Sequence, residues 1–189
     1  MSVQGPQAVG KTSVLRSIQK RRPEVTFLFE NPQPLVVERD ARGLDISTKQ
    51  GFIENQRLFI EAELHRWQSL GAGCFVFDRG PEDTECYTRC YPIVTRNDWD
   101  VERELATELE ALKCCRPERL LYMKARGDIL IKRRENDRTR ARRSFDLTAF
   151  EIYEDWYLRN LNVDVLDVSD LDPEEVEATV EEWIMAWVA

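Results

Sequence analysis

The chain has 189 residues, of which 42% are hydrophobic and 33% charged, with a net charge of −8. That length makes one domain over residues 1–189 the expectation, and that composition excludes a disordered or low-complexity chain. No apolar run approaches the ~18–20 residues of a membrane helix, no basic-then-apolar leader opens the chain, and the acidic balance speaks against wholesale nucleic-acid binding. Five cysteines (Cys74, Cys86, Cys90, Cys114 and Cys115) follow no framework spacing. They read as reduced thiols of a cytoplasmic protein.

In chain order, Ser2-Val3-Gln4 is a strand fragment, followed by Gly5 and a helix predicted from about Lys11 to Lys20. Val25 to Phe29 is a β-rich run, closed by Glu30-Asn31-Pro32 and a second proline, Pro34. A long helical pattern runs from about Ser47 to Leu70, with Phe52, Gln56, Phe59, Ile60, Glu63 and Trp67 along one side. Cys74 to Phe77 is continuously apolar, as a buried parallel strand should be. Helices follow at about Glu82–Tyr91 and Val101–Lys113, and Arg119 to Met123 is another buried strand. A helix through an arginine-rich stretch, a helix at about Leu147–Leu161, a strand at Val163–Val168 and a helix from Pro173 complete the chain. Strands alternating with helices mean βαβ units, so the fold class is α/β.

The stretch Gly5-Pro6-Gln7-Ala8-Val9-Gly10-Lys11-Thr12 places a glycine, four residues and then Gly-Lys-Thr between a strand and a helix. Glycines let the backbone wrap so that successive N–H groups face phosphate oxygens, and the helix adds its positive end. Gly5, Gln7, Ala8, Val9, Gly10, Lys11, Thr12 and Ser13 are therefore the candidate nucleotide-binding residues. Lys11 is suited to the β- and γ-phosphates and the Thr12 hydroxyl to Mg²⁺. A glycine-rich turn without a ligand is the alternative.

Phe75-Val76-Phe77-Asp78-Arg79-Gly80 sets an acid and an arginine at the end of a buried strand, the edge where open parallel sheets bind ligands. Asp78 is a candidate for Mg²⁺ and Arg79 for phosphoryl or substrate charge, against a helix-capping acid and a surface arginine. Glu30 closes another apolar strand and could take the proton of a substrate hydroxyl; a turn residue facing water is the alternative. His65 is the sole histidine, so Ser-His-Asp and Cys-His catalysis are nearly excluded. Between Arg126 and Arg143, eight basic residues against three acidic ones leave +5, so the rest of the chain carries −13. Such a stretch fits an anionic partner, because forked guanidinium donors match phosphate oxygens; a solvated basic helix is the alternative.

Together these motifs resemble the P-loop small-molecule kinases, in particular the deoxyribonucleoside kinase and thymidylate kinase group. The string from Asp78 to Tyr87 also resembles P-loop ATPases related to nicotinamide riboside kinases. The resemblance implies a three-layer P-loop NTPase fold, a mostly parallel five-stranded sheet and an arginine-rich helical lid at about residues 126–145. It implies ATP and Mg²⁺, with Lys11, Glu30, Arg79, Arg134 and Arg138 in catalysis and Thr12 and Asp78 at the metal. Phe52, Gln56 and Arg79 become acceptor contacts, and Val168-Ser169-Asp170 falls where such folds hold adenine. The implied activity is transfer of the γ-phosphoryl group to a small molecule, with a nucleoside hydroxyl as the first expectation. A nucleoside monophosphate kinase and a nucleotide-binding ATPase or switch with a protein partner are the alternatives. Glu30 is followed by Asn31 and not by proline, and Arg79 by Gly80 and not by serine, so the acceptor stays open. No membrane or nucleic-acid partner is expected; a homodimer is allowed.

Overall fold

The apolar runs at residues 75–77 and 120–123 become largely buried strands of a five-stranded sheet. A computed structural model of the chain describes residues 1–136 and 145–188. Its strands are β1 (Ser2–Gln4), β2 (Thr26–Phe29), β3 (Phe75–Asp78), β4 (Leu120–Lys124) and β5 (Asp164–Asp167). Its helices in chain order are α1 (Lys11–Gln19), α2 (Gln33–Ala41), α3 (Lys49–Gln68), α4 (Pro81–Val94), α5 (Val101–Glu104), α6 (Ala106–Lys113), α7 (Gly127–Asn136), α8 (Leu147–Asn160) and α9 (Pro173–Met185). No helix among the described residues is long and apolar enough to cross a membrane.

The chain divides into two compact units. The first takes Met1–Phe29, Gly73–Asp78 and the chain from Glu118 onward; the second takes Glu30–Ala72 and Arg79–Pro117. The first unit holds the whole sheet, in the order β2-β3-β1-β4-β5, and every pairing is parallel. The sheet is thus parallel throughout, not only mostly so. The fragment Ser2-Val3-Gln4 is its central strand, paired with β3 and β4 in register Ser2↔Phe77 and Ser2↔Leu120. Two of its three side chains are polar yet fully buried, and the Gln4 amide donates to Ser2 Oγ at 2.8 Å. On α1 the buried positions Lys11, Val14, Leu15 and Ile18 recur at helical spacing. Leu15 and Ile18 join Val3, Val76, Leu121 and Met123 with Val176, Val180 and Ile184 of α9 in one core. The α9 N-terminus is a capping box in which Asp172 accepts from Glu174 and Glu175 and Glu175 reaches back, with Pro173 in the first turn as expected.

The second unit is helical and has its own core of Phe52, Ile53, Ile60, Val101, Leu105 and Leu109. Phe52 stacks on Tyr91 at 4.5 Å and lies near Tyr87 and Trp99. Three local expectations need correction here. The proline-rich turn after Glu30 leads into α2, because Pro34 sits in the first helical turn, where its missing N–H costs nothing. The single helix expected at Val101–Lys113 breaks at the buried Leu105 (φ −121°, ψ 25°) into α5 and α6. Helix α4 continues through Pro92 to Val94.

Candidate active site

In the first unit the loop between β1 and α1 closes tightly. Gly5 has φ +135°, and a Cβ there would lie 2.0 Å from the Met123 carbonyl oxygen of β4, so only glycine allows the approach. Ala8 (φ 66°) and Gly10 (φ 109°) are left-handed. Gly10 then caps α1, whose first turn carries no acidic residue and receives no hydrogen bond from a capping side chain. The loop has the tight, glycine-dependent backbone that the motif predicts. Val9 is turned into the core, Ser13 is exposed, and Gln7 Oε1 is buried without a partner among the described residues. Lys11, only 6% exposed, donates from Nζ to the carbonyl oxygens of Gly5 at 2.7 Å and Pro6 at 2.9 Å. The ammonium is held at the loop, where a phosphate can take over its bonds.

Thr12 and Asp78 lie 66 positions apart, and the fold brings them together: Thr12 Oγ1 donates to Asp78 Oδ2 at 2.6 Å. Asp78 is 5% exposed, and its Oδ1 is buried with no hydrogen-bond partner among the described residues. An unpaired buried carboxylate oxygen is costly unless a ligand or water meets it. A hydroxyl beside such an oxygen suits Mg²⁺, which keeps several waters and needs only one or two protein ligands beside phosphate oxygens. No larger cluster of metal-binding side chains exists among the described residues.

The arginine-rich stretch begins on α7. Arg133, which the sequence does not single out, donates to the Val9 carbonyl at 3.1 Å and the Val168 carbonyl at 3.2 Å, tying the phosphate loop to the chain after β5. Nothing in its local sequence marks it off from the arginines beside it. Arg134 lies with its guanidinium carbon 4.6 Å above the Phe145 ring. Arg138 lies outside the described residues. At the expected adenine stretch, Ser169 Oγ accepts from the Arg126 N–H at 2.9 Å and Asp170 pairs with the Arg126 guanidinium at 2.9 Å.

In the second unit Glu30 and Arg79 form an ion pair, Nε to Oε2 at 3.4 Å, and Arg79 also meets Asp83 at 3.0 Å. In sequence each stands one residue past the strand partners Phe29 and Asp78. Arg79 has φ 66°, a left-handed conformation that costs a side-chain-bearing residue about 1–2 kcal/mol. Arg66 Nη2 donates to the Arg79 carbonyl at 2.8 Å, and Arg66 Nη1 pairs with Glu63 at 3.1 Å. Burial pushes the Glu63 carboxyl up to about 7, against the pull of Arg66 and with the help of Asp83, Glu82 and Glu30. The helical pattern sets Glu63 on one side of α3 but assigns no role to Glu63 or Arg66; their i, i+3 spacing is the available signal. Phe52 is fully buried in the aromatic cluster, and Gln56, 1% exposed, accepts at Oε1 from the Thr88 hydroxyl at 2.8 Å.

Comparison with known proteins places this fold. Deoxyadenosine kinase from M. mycoides with dCMP and dCDP bound is 16% identical, with a TM-score of 0.70 over 98% of this chain and 95% of that one. The same enzyme with dATP bound is 17% identical, TM-score 0.67, over 98% and 96%. Thymidylate kinase from Candida albicans is 14% identical, TM-score 0.66, over 98% and 90%. No curated protein matches the chain in sequence. The resemblance read from the phosphate loop and the strand-end residues thus extends to the fold, which is that of the P-loop kinases. A family match covers residues 1–175, and the chain belongs to the AAA domain family.

Proposed function

We propose that this protein is an ATP-dependent phosphotransferase that moves the γ-phosphoryl group to a small-molecule acceptor, with a nucleoside hydroxyl as the acceptor. The observation that carries this reading is the Thr12–Asp78 contact with its open carboxylate oxygen, Thr12 following directly on the tightly closed glycine loop. A plain anion trap has no use for a buried acid–hydroxyl pair; phosphoryl transfer does, because its catalysis rests on positioning and charge stabilisation.

Lys11 exchanges the Gly5 and Pro6 carbonyls for phosphate oxygens and follows the charge that develops toward the leaving group. Thr12 and Asp78 would hold Mg²⁺, which would supply neutralisation of phosphate charge. The acceptor oxygen forms its bond to the γ-phosphorus as the bond from that phosphorus to the bridging oxygen breaks, leaving ADP. Glu30 takes the hydroxyl proton, a contribution of about 10²–10⁴ in rate. Arg79, Arg134 and Arg138 stabilise the transferring group. Gln56 and Phe52 serve the acceptor, which requires Gln56 to trade its Thr88 bond for one to the acceptor. The likeness of fold to deoxyadenosine kinase supports a nucleoside acceptor, and the likeness to thymidylate kinase supports the second reading, a nucleotide acceptor.

The test is ADP release from ATP–Mg²⁺ with nucleosides, nucleoside monophosphates, sugars and aminoglycosides offered in turn. A nucleoside that stimulates release and becomes phosphorylated supports the proposal. Faster transfer to a monophosphate replaces it with a nucleotide kinase, and release indifferent to every acceptor replaces it with an ATPase.

A further inference from the structure

The proposed reaction gives Arg79 a place beside Glu30, and the way Arg79 is held is unusual. It adopts a left-handed backbone that side chains seldom take, while the neighbouring Gly80, which could adopt it freely, has φ −100°. The glycine is used otherwise: a Cβ at position 80 would come within 2.5 Å of Glu82 Oε2. Strain of this kind persists only where the surroundings over-determine the backbone. One contact on that backbone is the Arg66 guanidinium on the Arg79 carbonyl at 2.8 Å, with Arg66 in turn paired to Glu63.

We propose that Arg66 is a positioning residue for Arg79: oriented by Glu63, it clamps the Arg79 carbonyl, holds that residue left-handed, and so keeps the Arg79 guanidinium on Glu30 and Asp83. The consequence for turnover rests on the function proposed above; the clamp itself does not. Arg66 touches backbone, so its action on any substrate passes through Arg79. Lysine at position 66 retains one charged donor and should retain much of the clamp, whereas glutamine should not.

The experiment compares wild type, Arg66→Gln, Arg66→Lys, Glu63→Gln, Arg79→Gly and the double variant Arg66→Gln with Arg79→Gly. Amide hydrogen exchange of the nucleotide-free proteins is read across residues 79–83. Arg66→Gln should speed exchange there about tenfold or more, with Glu63→Gln weaker in the same residues and Arg66→Lys near wild type. Adding Arg66→Gln to Arg79→Gly should change exchange less than about twofold, because glycine needs no clamp. On the best acceptor, Arg66→Gln should lower kcat about 10–100-fold with the ATP KM unchanged, and Arg66→Lys should recover most of it. Exchange at 79–83 that ignores Arg66→Gln, or that quickens equally with and without Arg79→Gly, overturns the clamp. If Arg66→Gln does not fold, the Glu63→Gln and Arg66→Lys exchange patterns decide the matter. A chain that phosphorylates no acceptor defeats the proposed function, and the exchange cycle still judges Arg66.

Discussion

Glu63→Gln should change how stability depends on pH, and the direction follows from where the carboxyl sits. In the folded chain its proton is held up to about pH 7, above the ordinary carboxyl value of about 4.5, chiefly because burial disfavours the charged form. The folded state therefore binds this proton more tightly than the unfolded state does. The resulting stability is fully present below about pH 4.5 and is lost as pH rises through about 7. A difference of about 2.5 pH units corresponds to about 3.5 kcal/mol at ~1.4 kcal/mol per unit, of which about 3 remains at pH 4.5. Glutamine fits the same space, keeps a hydrogen-bonding oxygen for Arg66 and does not titrate. Unfolding by urea at pH 4.5 and pH 7.5, for wild type and variant, isolates the effect, since other titrating groups cancel in the difference. Glu63→Gln should gain about 2–3 kcal/mol relative to wild type between the two pH values. Stability curves that stay parallel across that range would refute the reasoning, because Glu63 would then hold its proton equally in the folded and unfolded chain, its pairing with Arg66 offsetting its burial.

Lys11→Ala should reduce phosphoryl transfer on the order of 10³-fold or more while the circular dichroism spectrum stays that of wild type; retained turnover contradicts the nucleotide assignment of the loop. Glu30→Gln should lower kcat about 10²–10⁴-fold with little change in the ATP KM. An unchanged kcat on the best acceptor removes Glu30 from the chemistry and favours an acceptor that is already ionised. Gly5→Ala should destabilise the protein by about 3 kcal/mol or more, since its Cβ meets the Met123 carbonyl at a φ reserved for glycine. A thermal melt of that variant indistinguishable from wild type would mean that the loop and β4 part easily.

What the sequence alone determined about this protein is what contiguous residues determine. The phosphate loop was legible because the glycines, the lysine, the threonine and the helix behind them are neighbours in chain and act through local backbone geometry. Strands β3 and β4 were legible because strands buried on both faces of a parallel sheet read as near-continuous apolar runs, as residues 75–77 and 120–123 do. Three residues with two polar side chains could not announce the central strand, since β1 owes its place to partners some 75 and 118 positions away. Helix α2 was hidden because proline reads as a breaker until its position in the first turn is known. The same holds at the site. Thr12 and Asp78 were each suspected, but their contact and the open Oδ1 exist only once β3 lies beside β1. Arg133 gained its two carbonyl partners, and Arg66 its hold on Arg79, from chain segments that sequence spacing does not relate. The raised proton affinity of Glu63 came from burial and from charges on separate segments. Tertiary structure alone decided these features because hydrogen bonds, desolvation and charge interactions depend on distance in space, and a sequence specifies that distance only within a few residues.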